Sequence, residues 1–130
     1  MKRDIESRQD IEQFLQAFYK KAFADELLGH FFTVVVPLDL EMHIPIIASF
    51  WESIIFNTHG YRKNVMEVHQ HIHNLSKINK EHLDRWVQLF TLTVDEYFQG
   101  VKTELMKQRA RSIATLMDIK LNHNQIRNGQ

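Results

Sequence analysis

Asn64-Val65-Met66-Glu67-Val68-His69-Gln70-His71-Ile72-His73, followed by Arg85-Trp86-Val87-Gln88-Leu89-Phe90, decides how the rest of this chain is read. The first run predicts a helix of about two turns. His69 and His73 stand four residues apart and share one face with Val65 and Met66, whereas His71 points elsewhere. The second run lies in a longer predicted helix over 81–98, where Leu83, Trp86, Val87, Phe90, Val94, Tyr97 and Phe98 form a wide aromatic face.

Working outward, the same helical period recurs on both sides. Ile11, Phe14, Leu15, Phe18, Tyr19, Ala22 and Phe23 fall at i, i+3, i+4, i+7 and i+8, with Ser7 placed to cap the first turn. Asp25 to Phe32 reads as a short helix or turn, and the β-branched run Thr33-Val34-Val35-Val36-Pro37, lacking a partner strand, as an extended connection. Asp39 then caps a helix whose apolar face is Leu40, His43, Ile44, Ile47, Phe50, Trp51, Ile54 and Ile55; Pro45 falls near its start, where a missing amide costs least. After the break at Gly60 and the two helices above, Gly100 precedes a last helix carrying Val101, Leu105, Ile113, Leu116, Met117 and Leu121, with Lys107, Arg109 and Arg111 on its solvated side. The expectation is an all-α single domain over 1–130, of about six helices, with residues 1–7 and 122–130 as frayed termini.

Composition narrows the function. Sixteen basic residues balance sixteen acidic ones, so no net field draws the chain to nucleic acid or an anionic membrane. Cysteine is absent, which removes disulfides, thiolate metal sites and thiol nucleophiles. No apolar run approaches the length of a membrane span and the first residues are charged, so a cytoplasmic location is expected.

Two polar side chains, Tyr19 and His43, interrupt otherwise apolar helix faces. Taken singly, each is more often a satisfied core residue: a buried phenol bonded to a carbonyl, a buried imidazole with a local partner. Trp86 is likewise explained, singly, as a large plug between helices. Together they fit a pocket for a small ligand. An imidazole with no cysteine or carboxylate cluster near it suits haem iron better than structural zinc, and the density of large apolar residues suits a flat macrocycle. A helical metal site built on His69 and His73, or an interaction module without any cofactor, stays open at this point.

The sequence also resembles the truncated haemoglobins, most closely group III. The resemblance rests on Phe18-Tyr19-Lys20-Lys21, His43-Ile44-Pro45 with Phe50-Trp51, Asn64 to His69, His82 to Phe90, and Lys107-Gln108-Arg109-Ala110 with Ile113-Ala114, in order and at matching separations over roughly residues 8–118. The absence of any Gly-Gly pair, usual in groups I and II, points the same way. Val65 stands where a proline is common, and the apolar segment Thr33 to Leu38 aligns poorly.

The resemblance implies a compressed, bacterial-type globin sandwich around one haem b (iron protoporphyrin IX). It makes His69 the iron ligand, with His73 as the fallback. It makes Tyr19, His43 and Trp86 the polar groups beside a bound ligand, and Phe32, Phe50, Trp51, Met66 and Phe90 contacts of the porphyrin. The ligands implied are dioxygen, nitric oxide and carbon monoxide. Three donors in one dry pocket imply slow release and therefore sensing, nitric-oxide detoxification or peroxidase-like chemistry rather than bulk oxygen transport. Nitric-oxide dioxygenase or peroxidase-like turnover would draw electrons from a separate reductase. A monomer or weak dimer is expected.

Overall fold

The computed structural model describes residues 2–57 and 65–123; the side chains of residues 65–67 and 123 lie outside that description, as do residue 1, Gly60, Asn64 and the tail from 124. Among the described residues five α-helices form: α1 (Arg8–Ala24), α2 (Leu40–Ile55), α3 (Val65–Leu75), α4 (Lys80–Tyr97) and α5 (Val101–Asp118). There is no strand among the described residues. The all-α expectation holds.

The helix starts follow the local chemistry. Ser7 Oγ accepts from the Asp10 amide at the head of α1, and the Asp39 carboxylate accepts from the Glu41 amide at the head of α2. Pro45 stands inside α2, and its carbonyl accepts from the Arg8 guanidinium at 2.8 Å, tying α2 to α1. α1 packs on α2 and α4, α5 packs on α4 and α2, and α3 meets the segment between α1 and α2. One shared core of Phe14, Phe18, Trp51 and Phe90 sits between α1, α2 and α4, with rings 4.8–6.0 Å apart; Phe90 meets Phe14 and Phe18 edge-to-face.

Two segments depart from the sequence reading. The run expected as an extended connection is instead a π-helical turn, Phe31–Val35. Its backbone closes on itself, Val36 N–H donating to Phe31 C=O at 3.1 Å, and the Thr33 hydroxyl donates to Gly29 C=O. With no neighbouring strand to pair with, the wide turn is how these amides are satisfied. It also sorts the side chains: Phe31 is buried while Val34 is 74% exposed. A second π turn, Ile119–His123, ends the described chain, and Leu121 on it is buried.

Residues 2–7, expected to fray, pack instead. Ile5 is 1% exposed in the main core. The Asp4 carboxylate accepts from the Lys102 and Thr103 amides (2.8 and 2.9 Å) and the Thr103 hydroxyl (2.8 Å), capping α5 from a distant part of the chain. The Arg3 guanidinium grips Asp10 with two bonds of 2.8 and 2.7 Å, and the Gln99 amide donates to Arg3 C=O. Gly100 makes this approach possible. Its φ of 149° is open to glycine, and a Cβ there would fall 2.5 Å from the Asp4 carboxyl carbon.

Candidate functional site

The helices enclose a cavity of about 320 Å³ bounded by α1, α2, the first π turn, α3, α4 and α5. Its wall is overwhelmingly apolar, and among the described residues that line it none is acidic. The polar atoms on it come from Tyr19, His43, His69, His82 and Trp86. A wall of this kind takes a largely apolar ligand and orients it by a few polar contacts.

Tyr19 lies on the buried face of α1, its ring held edge-on by Phe18 at 5.1 Å and Phe32 at 5.7 Å. Phe32 is positioned by the π turn and stacks on Phe23 at 5.3 Å. The Tyr19 hydroxyl and His43 Nε2 are hydrogen-bonded at 2.9 Å, joining α1 to α2 across the cavity wall. Burial pushes the Tyr19 phenol above its ordinary range, so it stays protonated and able to donate. Trp86 on α4 packs edge-on to Phe18 and against Phe90 at 5.2 Å, with its ring on the cavity. The indole N–H is a donor and nothing else.

His69 enters from α3 and is half-buried on the wall. His71 is exposed, as its register predicts. Phe32, Phe50, Trp51 and Phe90 all line the cavity. Met66 belongs to α3, but its side chain lies outside the described residues.

His73, the fallback ligand, is not among the residues that line the cavity. It shares the face of His69 but sits one turn nearer the end of α3, which stops at Leu75. Its Nδ1 accepts from the Ile78 amide at 2.9 Å in a buried setting, so the ring closes the turn between α3 and α4. Nor does a site on His69 and His73 find further ligands: among the described residues no group of three or more histidine, cysteine or acidic side chains could hold a metal ion.

His82 lines the cavity as well, a role the sequence reading did not give it. On a helical wheel it lies one turn before Trp86, which is the signal that was available. Asp25 anchors the same region. Its carboxylate accepts from the Leu27 and Leu28 amides and from Arg85 Nε at 2.7 Å, fixing α4 to the end of α1. Burial raises the Asp25 carboxyl, but these donors outweigh it and hold the group below the usual carboxylate range.

In fold the chain is similar to the crystal structure of a group III truncated hemoglobin from Campylobacter jejuni, with a TM-score of 0.80. The match covers 93% of this chain and 95% of that one, at 22% sequence identity. This is a truncated-globin fold. Neither a family model nor a curated protein matches the sequence. Within the truncated-globin fold the cavity lies among the helices, with Tyr19 and His43 from α1 and α2, His69 from α3 and Trp86 from α4 on one wall system. Among the described residues no helix is long and apolar enough to cross a membrane.

Proposed function

We propose that this chain holds haem b through His69 and binds diatomic gases beside Tyr19, His43 and Trp86. The observation that carries the reading is the convergence of those four side chains on one apolar cavity. The donor set fits the group. Among the described lining residues one imidazole, His69, comes from α3, the rest of the wall is mostly aromatic and aliphatic with Tyr19, His43, His82 and Trp86 as its polar exceptions, and none carries a carboxylate. When bound, an iron porphyrin supplies a metal with a coordination position open to small gases and to redox chemistry.

The chain's own residues do the rest. The phenol of Tyr19 is neutral, so it can donate to His43 Nε2 or accept from it, according to the imidazole tautomer, and can donate to an electronegative ligand atom instead. His43 can take up either role in that bond, because each neutral imidazole carries one donor and one acceptor. Trp86 adds a second donor from α4. In a wall this apolar the local dielectric is low, and donors aimed at a partial negative charge are worth more than in water. Phe32, Phe50 and Trp51 keep water out. Such a pocket retains dioxygen and suits gas sensing, nitric-oxide detoxification or peroxidase-like chemistry with electrons from a separate reductase.

The test is the ultraviolet–visible spectrum of the purified protein, ferric and then dithionite-reduced under carbon monoxide. A Soret band that shifts with carbon monoxide is expected. Absence of any Soret band after adding haemin overturns the reading.

A further inference from the structure

His82 lines the cavity and is half-buried, with one ring nitrogen already committed. Its Nδ1 accepts from the Asn79 amide at 2.9 Å. A nitrogen that accepts from an N–H carries no proton, so the ring is held in the tautomer with hydrogen on Nε2. Protonating Nδ1 would set two donors against each other, so the ring is also held neutral. Burial, opposed by Glu81 and aided by His30, lowers the proton affinity of His82 in the same sense. Nε2–H is therefore a fixed donor, and among the described residues none accepts from it.

The setting of that donor limits what it can meet. The ring packs edge-on against Phe31 at 5.0 Å, which fixes its plane. His30 lies 6.3 Å away on the outer side and is exposed. His82 also belongs to the first turn of α4, whose amides point toward the same end and favour negative charge. Glu81, the nearby acid, is exposed and screened by water. On the interior wall Tyr19 and His43 are bonded to each other. A planar apolar ligand carrying carboxylates must leave them at an edge where they are hydrated or paired.

We infer that His82 Nε2–H is a carboxylate-binding subsite of the cavity, which takes a propionate of the bound porphyrin and so orients the macrocycle. The inference rests on the haem reading above. His82 is then a positioning residue, and it acts by recognising the acidic edge of the ligand.

The experiment titrates the haem-free protein with haemin and with haemin dimethyl ester, in which both carboxylates are neutral and cannot accept as charged groups. Soret absorbance reports both affinities. Wild type is expected to prefer haemin by about tenfold, the size of one hydrogen bond to a charged group at a half-exposed edge. In His82→Phe, which keeps a ring against Phe31, the diester should bind as in wild type while the preference for haemin falls to roughly twofold. Equal diester binding also shows that the variant's cavity is folded. A preference unchanged in His82→Phe overturns the inference, and so does equal loss for both ligands, which marks a packing role. If His82→Phe does not fold, wild type alone still decides against the subsite by binding the two porphyrins equally. Wild type that binds neither overturns the haem reading itself, and the subsite with it.

Discussion

Replacing Tyr19 by Phe removes one hydroxyl and leaves the ring. The contacts to Phe18, Phe32 and the His43 ring, at 5.1, 5.7 and 5.1 Å, are available to both residues. What is lost is the 2.9 Å bond to His43 Nε2. A hydrogen bond of this kind contributes about 1 kcal/mol net to folding, and removing a buried hydroxyl also relieves its desolvation, so the unfolding free energy should fall by roughly 0.5–1 kcal/mol. A donor facing a partially charged ligand in an apolar pocket contributes about 1.5–3 kcal/mol, which is roughly ten- to a hundredfold in release rate. The two roles therefore separate by size. Stopped-flow displacement of dioxygen by carbon monoxide gives the release rate, and guanidinium unfolding gives the stability. Release in Tyr19→Phe should be at least tenfold faster, with little change in the unfolding midpoint. Release within twofold of wild type, alongside the small stability loss, would refute a ligand-facing hydroxyl and leave Tyr19 as a tie between α1 and α2.

Other outcomes follow from the same geometry. His69→Leu should abolish the Soret band of the purified protein, whereas His71→Leu, at an exposed position, should leave it intact; the reverse pattern would mean the register of α3 is wrong. Gly100→Ala should destabilise the protein by about 2 kcal/mol in urea, because the new Cβ meets the Asp4 carboxylate at a backbone angle closed to alanine; a change under about 0.5 kcal/mol would refute that. Acid should weaken the fold in a definite window. Arg3 holds Asp10 low, and at Asp4 burial is outweighed by the donors from Lys102 and Thr103; with Asp25, three carboxyls lie below their unfolded values. Their stabilisation is complete above about pH 4 and is lost as pH falls through the lower folded values. Urea unfolding followed by circular dichroism between pH 2 and 6 should show stability falling as pH drops below about 4, and Asp25→Asn should lessen that fall.

Much of this architecture was legible because it is local. The stripes through Phe14 and Phe18, and through Trp86 and Phe90, obey the helical period, and Ser7 and Asp39 cap the turns they directly precede. The convergence of Tyr19, His43, His69 and Trp86 drew on family resemblance, since no spacing within one helix relates four residues on four helices. What was not legible depends on distant partners or on where an element stops. Ile5 and Asp4 look like part of a charged tail until α5 arrives to meet them. Thr33 to Val35 carry strand propensity, yet the missing partner strand sends their amides into a π turn. His73 shares a face with His69, and only the end of α3 at Leu75 turns it toward the Ile78 amide. His82 is a local exception: its place one turn before Trp86 was open to a sequence reading, while the contact with Phe31 that fixes its ring depends on the π turn.

The grip of Asp4 on Lys102 spans 98 residues of chain. Closing a loop of that length costs about 4 kcal/mol in chain entropy, more than a cap contributes. The strap thus docks only after α1, α4 and α5 have already met. On a ribosome adding about 5–20 residues per second, Ile5 waits in water for roughly 5–20 s before its docking surface exists.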